Sequence, residues 1–289
     1  MTDKSIAILL ALYAAFGFGA GFVLTQFALR WMPPRLGAAL SIPTSTFSFW
    51  CLAPFLIEPA EADAKAAALF ACVGLIFPGA VALANFESNR LVGPNIAGAV
   101  GGLAPVFAVL LALFLLREHP RLLQLFGMGA IVLGVALMYR GQWSFTARGA
   151  WLLALPLGAA AVRGFVQPVI KIGLEHWPNP IAAVVIGYTV SSTVLVLAAL
   201  ASRPTLAQGF DRRGAIWFAA VGLCNGSAVL SMYAALGRGS VALVSPLIAT
   251  YPLVTVLLSS AFLKRERIDA PLVAAVTATV GGAILILIA

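Results

Sequence analysis

The chain has 289 residues, of which 62% are hydrophobic and 10% charged, and its mean hydropathy is +1.02. A water-soluble domain is roughly half apolar and about a quarter charged, so a soluble globular fold is excluded. The net charge of +8 comes from 18 Lys and Arg scattered at the ends of apolar blocks, the distribution of interfacial anchors and not of a basic stripe for nucleic acid.

The apolar blocks are each about 20 residues long, enough to cross a hydrocarbon layer of roughly 30 Å at 1.5 Å per residue. They predict transmembrane helices over residues 5–31, 35–57, 64–88, 94–116, 120–140, 147–171, 180–201, 213–236, 240–263 and 267–289. The breaks are charged or rich in Pro and Gly, as at Pro33-Pro34-Arg35, Gly93-Pro94-Asn95, Arg117-Glu118-His119-Pro120, Arg140-Gly141-Gln142 and Lys264-Arg265-Glu266-Arg267. Loops this short hold no soluble domain. Uninterrupted runs such as Val106 to Leu116 lack the alternation of a barrel strand, and apolar segments in lipid are otherwise helices. The first block is too long for a removable signal peptide and lacks a small-residue cleavage pattern. Cys51, Cys72 and Cys224 lie inside apolar blocks without C-x-x-C or Cys/His spacing and read as small hydrophobes.

The chain repeats itself. A shift of 143 places Gly21-Phe22-Val23 on Gly164-Phe165-Val166, and 144 places Ala38-Ala39 on Ala182-Ala183. A shift of 147 places Phe77-Pro78-Gly79 on Cys224-Asn225-Gly226 and Pro105 on Pro252; 148 pairs Arg117-Glu118 with Arg265-Glu266 and Gly134 with Gly282. The order is kept throughout, so the expected fold is an all-α integral membrane protein of ten transmembrane helices, arranged as two five-helix repeats over residues 1–140 and 141–289. Five is odd, so the second repeat enters the membrane with opposite orientation. Inverted repeats are a common plan among secondary transporters.

The Pro-centred fourth helix ends in a basic-acidic pair in both copies: Leu103-Ala104-Pro105-Val106-Phe107 through Arg117-Glu118, and Tyr251-Pro252-Leu253-Val254 through Lys264-Arg265-Glu266. With two copies at this spacing, the chain resembles the EamA-type exporters of the drug/metabolite transporter superfamily over nearly its whole length. It departs from that family in having Arg-Glu where Gly-Glu is usual, and Phe86 where the second half has Tyr233. The resemblance implies export or exchange of amino acids and related metabolites through a central cavity between the halves, by alternating access. It also implies a bacterial inner membrane, no cofactor, a monomer or weak dimer, and protons or a counter-substrate as the coupled species.

Glycine and alanine recur four apart, at Gly17 and Gly21, at Gly93, Ala97 and Gly101, and at Gly98 and Gly102. Small residues at this spacing let helices approach closely in lipid. Pro78, Pro105 and Pro252 interrupt spans and are candidate hinges.

Arg163 is the one cation near the middle of a predicted span, too deep to reach an interface easily, and burying it costs several kcal/mol unless it meets a partner or a water-filled cavity. The repeat places Ala20 at the equivalent position. Either a solute or helix carbonyls would satisfy it. Gln167, one turn on, and Gln26 in the matching helix supply amides. Asn85 and Glu87 cluster with Asn89 and Arg90 at the end of the third span, where Glu87 fits interfacial solvation as well as a site. Asn225 lies near the middle of the eighth span. Tyr188, Tyr233, Tyr251 and Trp50 form either an aromatic cavity wall or belt and packing contacts.

The first span holds no Asp or Glu, the residue that related small multidrug antiporters use for protons and cationic drugs. A central Arg favours a carboxylate or other electronegative group on the solute. No nucleotide-binding loop, metal-ligand spacing or catalytic constellation is found, with both histidines, His119 and His176, in loops. A broad exporter of apolar cations is the second reading. Loop cations number 6 on the side of the N terminus and 11 on the other, with Arg163 completing the 18. The positive-inside rule then puts the termini outside the cytoplasm and the family resemblance puts them inside; both place them on one side.

Overall fold

A computed structural model describes residues 2–138, 147–201, 209–263 and 270–289. The boundary between residues 140 and 141, and the Lys264-Arg265-Glu266 end of the ninth span, lie outside the described residues. Twelve α-helices are described: α1 (Asp3–Ala28), α2 (Pro34–Leu56), α3 (Ala64–Gly74), α4 (Gly79–Gly101), α5 (Ala104–Leu115), α6 (Leu122–Met138), α7 (Ala147–His176), α8 (Pro180–Ala201), α9 (Arg212–Leu236), α10 (Val241–Ile248), α11 (Tyr251–Leu263) and α12 (Ala270–Ile288). No strand occurs among the described residues. Eight stretches are long and apolar enough to cross a membrane, and two shorter apolar helices, Leu122–Leu137 and Thr277–Ile288, bring the spans to ten.

The prolines divide three of these spans. The third span is α3 and the first part of α4, separated by a turn at Phe77-Pro78, whose peptide bond is cis. The fourth is the end of α4 followed by α5, and the ninth is α10 followed by α11. Pro105 and Pro252 each stand at the second residue of the helix after the break, where a missing N–H is harmless. Gly93 and Pro94 form no loop: the chain passes from the third span into the fourth through one residue, Gly93, at φ +82°, a left-handed backbone open to glycine at no steric cost.

Packing follows the repeat. α1 lies along α9, and α7 along α3 and α4; α2 crosses α8, and α6 pairs with α12. Small residues make these approaches possible. A Cβ on Gly222 would come within 2.2 Å of the Ser41 carbonyl oxygen, and one on Gly17 within 2.8 Å of the Ala228 Cβ. The α6–α12 contact is reciprocal: Gly127 faces the Gly282 carbonyl at 2.6 Å and Gly282 the Gly127 carbonyl at 2.5 Å, again measured from added Cβ atoms. The exposed large hydrophobics, such as Phe47, Phe55, Phe114 and Phe126, stand on the outside of the bundle, where lipid replaces water as the solvent.

Hydrogen bonds place the short connections at two ends. Asn179 donates to the Leu56 carbonyl (2.8 Å), Lys171 to the Gly239 carbonyl (2.7 Å) and Arg121 to the Ala289 carbonyl, while Gly239 sits against Ala7 of α1. These residues gather at the end of the bundle that holds both termini. The opposite end carries Met32 against Gly214 and Pro33 against Gly209.

Candidate functional site

A cavity with room for about 50 Å³ of solvent lies between the two halves. Residues 18–25 of α1, 41–45 of α2 and 77–89 of the third span line it from the first half; Arg163 of α7, Tyr188 of α8 and residues 222–229 of α9 line it from the second. Three spans of each repeat therefore contribute. By their positions along the helices, the lining residues occupy the middle of the bundle and the half away from the termini.

Arg163 stands about 20 Å from either end of α7 at 1.5 Å per residue and is 5% exposed. Its guanidinium carbon lies 5.1 Å from the ring centroid of Phe18 and 5.6 Å from that of Tyr251. Cation–π contact with two rings offsets part of the desolvation of a buried charge, by about 2 kcal/mol or more when water is absent. Hydrogen bonding does not complete the offset, because Nε and Nη1 have no partner in the protein. Neither ion pair found among the described residues, Arg90–Glu87 and Lys171–Glu118, includes Arg163. No lining residue of the cavity is acidic.

Tyr251 is fixed by its own contacts. Its hydroxyl donates to the Gly98 carbonyl (3.0 Å), and its ring stacks on Phe22 with centroids 5.5 Å apart and planes 5° from parallel. Gly101 leaves the room: a Cβ there would fall 2.0 Å from the Tyr251 hydroxyl.

Two further buried polar atoms in the lining have no partner in the protein, the Ser41 hydroxyl and the Asn89 carbonyl oxygen. The Asn89 amide nitrogen donates to the Phe22 carbonyl (2.9 Å). Thr25 and Ser45 spend their hydroxyl protons on backbone carbonyls, Thr25 on Gly21 (2.7 Å) and Ser45 on Gly222 (2.7 Å). The fully buried, unpartnered capacity of the lining is thus a set of guanidinium N–H donors, one amide acceptor and one hydroxyl, beside the side chains of Asn85, Asn225 and Tyr188. Such an arrangement holds an anionic group beside a hydrogen-bonding one.

Of the residues singled out in the sequence, the structure brings Arg163, Asn85, Asn225, Tyr188 and Pro78 to the cavity. Tyr251 forms the platform behind Arg163. Gln167 lies 1% exposed one turn below it, with its amide nitrogen 3.4 Å from the Arg163 carbonyl and its Oε1 unpartnered. Gln26, Glu87 and Tyr233 are not in the lining; Glu87 pairs with Arg90, and Tyr233 is buried in the core. Trp50 is 54% exposed on the outside of the bundle, its indole N–H donating to Thr189 (3.0 Å). Pro105 and Pro252 lie at the helix breaks of the fourth and ninth spans. Asn89, which the sequence clusters with Asn85, and Ser41, one helical turn from Ser45 and on its face, complete the polar lining.

Residues 5–140 and 149–288 each match the EamA-like transporter family. The chain belongs to that family. This EamA-like protein is accordingly a multi-pass membrane protein that moves small molecules across a bilayer, with ten spans in two inverted repeats. A solved crystal structure of a protein aligns with it at a TM-score of 0.79 over 96% of this chain and 97% of that chain, at 18% sequence identity, a likeness that speaks for the fold. No curated protein matches the sequence.

Proposed function

We propose that this EamA-like protein is a secondary transporter, exporting or exchanging small carboxylate-bearing solutes such as amino acids, by alternating access to the central cavity. The observation that carries this reading is the buried Arg163 with unpartnered Nε and Nη1 facing a cavity without an acidic residue. A carboxylate accepts from such a guanidinium in a two-point geometry, and the Asn89 and Ser41 oxygens supply acceptors for an amino or hydroxyl group on the same solute. The repeats, residues 1–140 and 141–289, are the two bodies that move. The breaks at Pro78, Pro105 and Pro252 are the hinges. Asn85, Asn225 and Tyr188 shape the remaining wall.

An exporter of apolar cations is the competing reading. The positive charge and the missing carboxylate of the lining oppose it, because a cation entering beside Arg163 would be repelled. Protein in lipid vesicles, screened for uptake of amino acids, organic acids and cationic dyes with and without a pH gradient, separates the two. Carboxylates are carried and dyes are not; carriage of dyes alone overturns the reading. The setting is a bacterial inner membrane, with both termini on one side.

A further inference from the structure

The lining of the cavity stops short of the end that holds the termini, and that end is tied together by a specific chemistry. Glu118 lies 3.2 Å from the ammonium of Lys171, and its two carboxylate oxygens accept from the backbone N–H groups of Val241 (3.0 Å) and Ala242 (3.1 Å), the first two residues of α10. Lys171 also donates to the Gly239 carbonyl (2.7 Å). One carboxylate thus ties the end of the fourth span to the sixth and to the start of the ninth, joining the two repeats. Both side chains are largely buried, at 15% and 17% exposure.

Arg163, Gln167 and Lys171 stand four residues apart on one face of α7. Gln167, between Arg163 and Lys171 along α7, and Ser245, one turn in from the capped N terminus of α10, both carry buried polar atoms with no partner, Oε1 and the hydroxyl respectively. Hydrogen-bonding groups sealed in an apolar core without partners are expensive, and α10, otherwise buried along all eight residues, packs against α1, α5 and α7. Beside the pair, a recess of about 360 Å³ opens at the surface, lined by Lys171, Glu175, Arg238 and Ser240 among others. At the other end no such tie can form from the matching residue, because the repeat places Ala28 where Lys171 stands.

We propose that the solute path continues from Arg163 along the Gln167–Ser245 face to this recess, and that the Glu118–Lys171 pair on the N terminus of α10 is the gate that shuts it. This rests on the alternating-access reading above. Opening the gate separates Lys171 from Glu118, swings α10 away from α7, and lets water reach Gln167 and Ser245.

The test reads accessibility, not transport, so failure of the carboxylate reading leaves it intact. Cys51, Cys72 and Cys224 are replaced by Ala in the full chain, and Ser245→Cys or Asn225→Cys is added as a reporter. A membrane-impermeant sulfonated maleimide is applied to sealed vesicles of each orientation. With the gate intact, Ser245→Cys is labelled slowly from the side of the termini. In Lys171→Met, which leaves the Glu118 cap on α10, its labelling rises about tenfold, while Asn225→Cys is labelled more slowly from the opposite side; Lys171→Arg restores the slow rate. Glu118→Gln gives the same rise. Unchanged labelling of Ser245→Cys in both Lys171→Met and Glu118→Gln overturns the gate, and so does labelling of both reporters from both sides, which marks general loosening of the bundle.

Discussion

The guanidinium carbon of Arg163 lies 5.6 Å from the ring centroid of Tyr251, and the hydroxyl of the same tyrosine is held 3.0 Å from the Gly98 carbonyl. One side chain of the second repeat therefore supports the cavity cation with its face and anchors to the first repeat with its edge. The two jobs can be separated. Tyr251→Phe keeps the ring and loses the hydrogen bond, at a cost of about 1 kcal/mol. Tyr251→Leu loses the cation–π contact as well, a further ~2 kcal/mol. Thermal unfolding in detergent reads both. In an Arg163→Ala background the gap between Phe and Leu narrows by about that 2 kcal/mol; an unchanged gap would show that the ring serves packing alone.

Arg163→Ala removes the donors that meet the carboxylate. A hydrogen bond to a charged group is worth about 1.5–3 kcal/mol, so half-saturation for a carboxylate solute moves up by roughly ten- to a hundredfold. Arg163→Lys keeps the charge but gives up the fork, and its loss is intermediate. Vesicle uptake at graded solute concentrations measures both, with the folded fraction checked by size-exclusion chromatography. Full activity of Arg163→Ala removes this residue from the site.

Gly222 and Gly129 make a matched pair for the packing claim. Gly222→Ala drives a methyl group to 2.2 Å from the Ser41 carbonyl oxygen, whereas a Cβ on Gly129 meets nothing within 4 Å. Overpacking costs about 1–3 kcal/mol, and the backbone of α2 has to move with Ser41 and Ser45, both of which line the cavity. Gly129→Ala in a helix is neutral or stabilising by up to ~1 kcal/mol. Melting temperatures that fall equally in both variants contradict the assignment.

Pro105 and Pro252 test the hinges. Replacing both by Ala restores an N–H at each break and favours one continuous helix in the fourth and ninth spans. Transport turnover drops by about tenfold or more while solute affinity stays within about twofold, because the site is untouched and only the barrier between its two states rises. Unaltered turnover removes the hinge role.

The spans were legible because length and hydropathy together demand them: α1, α2, α8 and α9 begin and end within a few residues of the apolar blocks. Arg163 was legible because a charge at that depth has few explanations. Facing was not legible. In lipid the outer surface of a helix is as apolar as its packed side, so Trp50 and Tyr188 look alike in the sequence, yet one is 54% exposed on the outside and the other 2% exposed at the cavity. Helix breaks were half visible: the prolines at 105 and 252 were read as kinks, but the end of α4 at Gly101 and of α10 at Ile248 depends on how the two halves cross. The Glu118–Lys171 pair joins residues from different repeats, and nothing local in either segment announces the other.

The reciprocal contact of Gly127 with Gly282 sets a timetable for synthesis. Residue 282 follows residue 127 by 155 positions, which at about 5–20 residues per second is roughly eight to thirty seconds of translation. Throughout that interval the fifth span sits in the bilayer with a flat glycine face and no protein neighbour to cover it. The nascent chain is then an incomplete bundle with a ready docking surface, open to insertion chaperones and to quality-control proteases alike. Arrival of the tenth span ends that exposure, so it is this helix that commits the fifth span to its packed form.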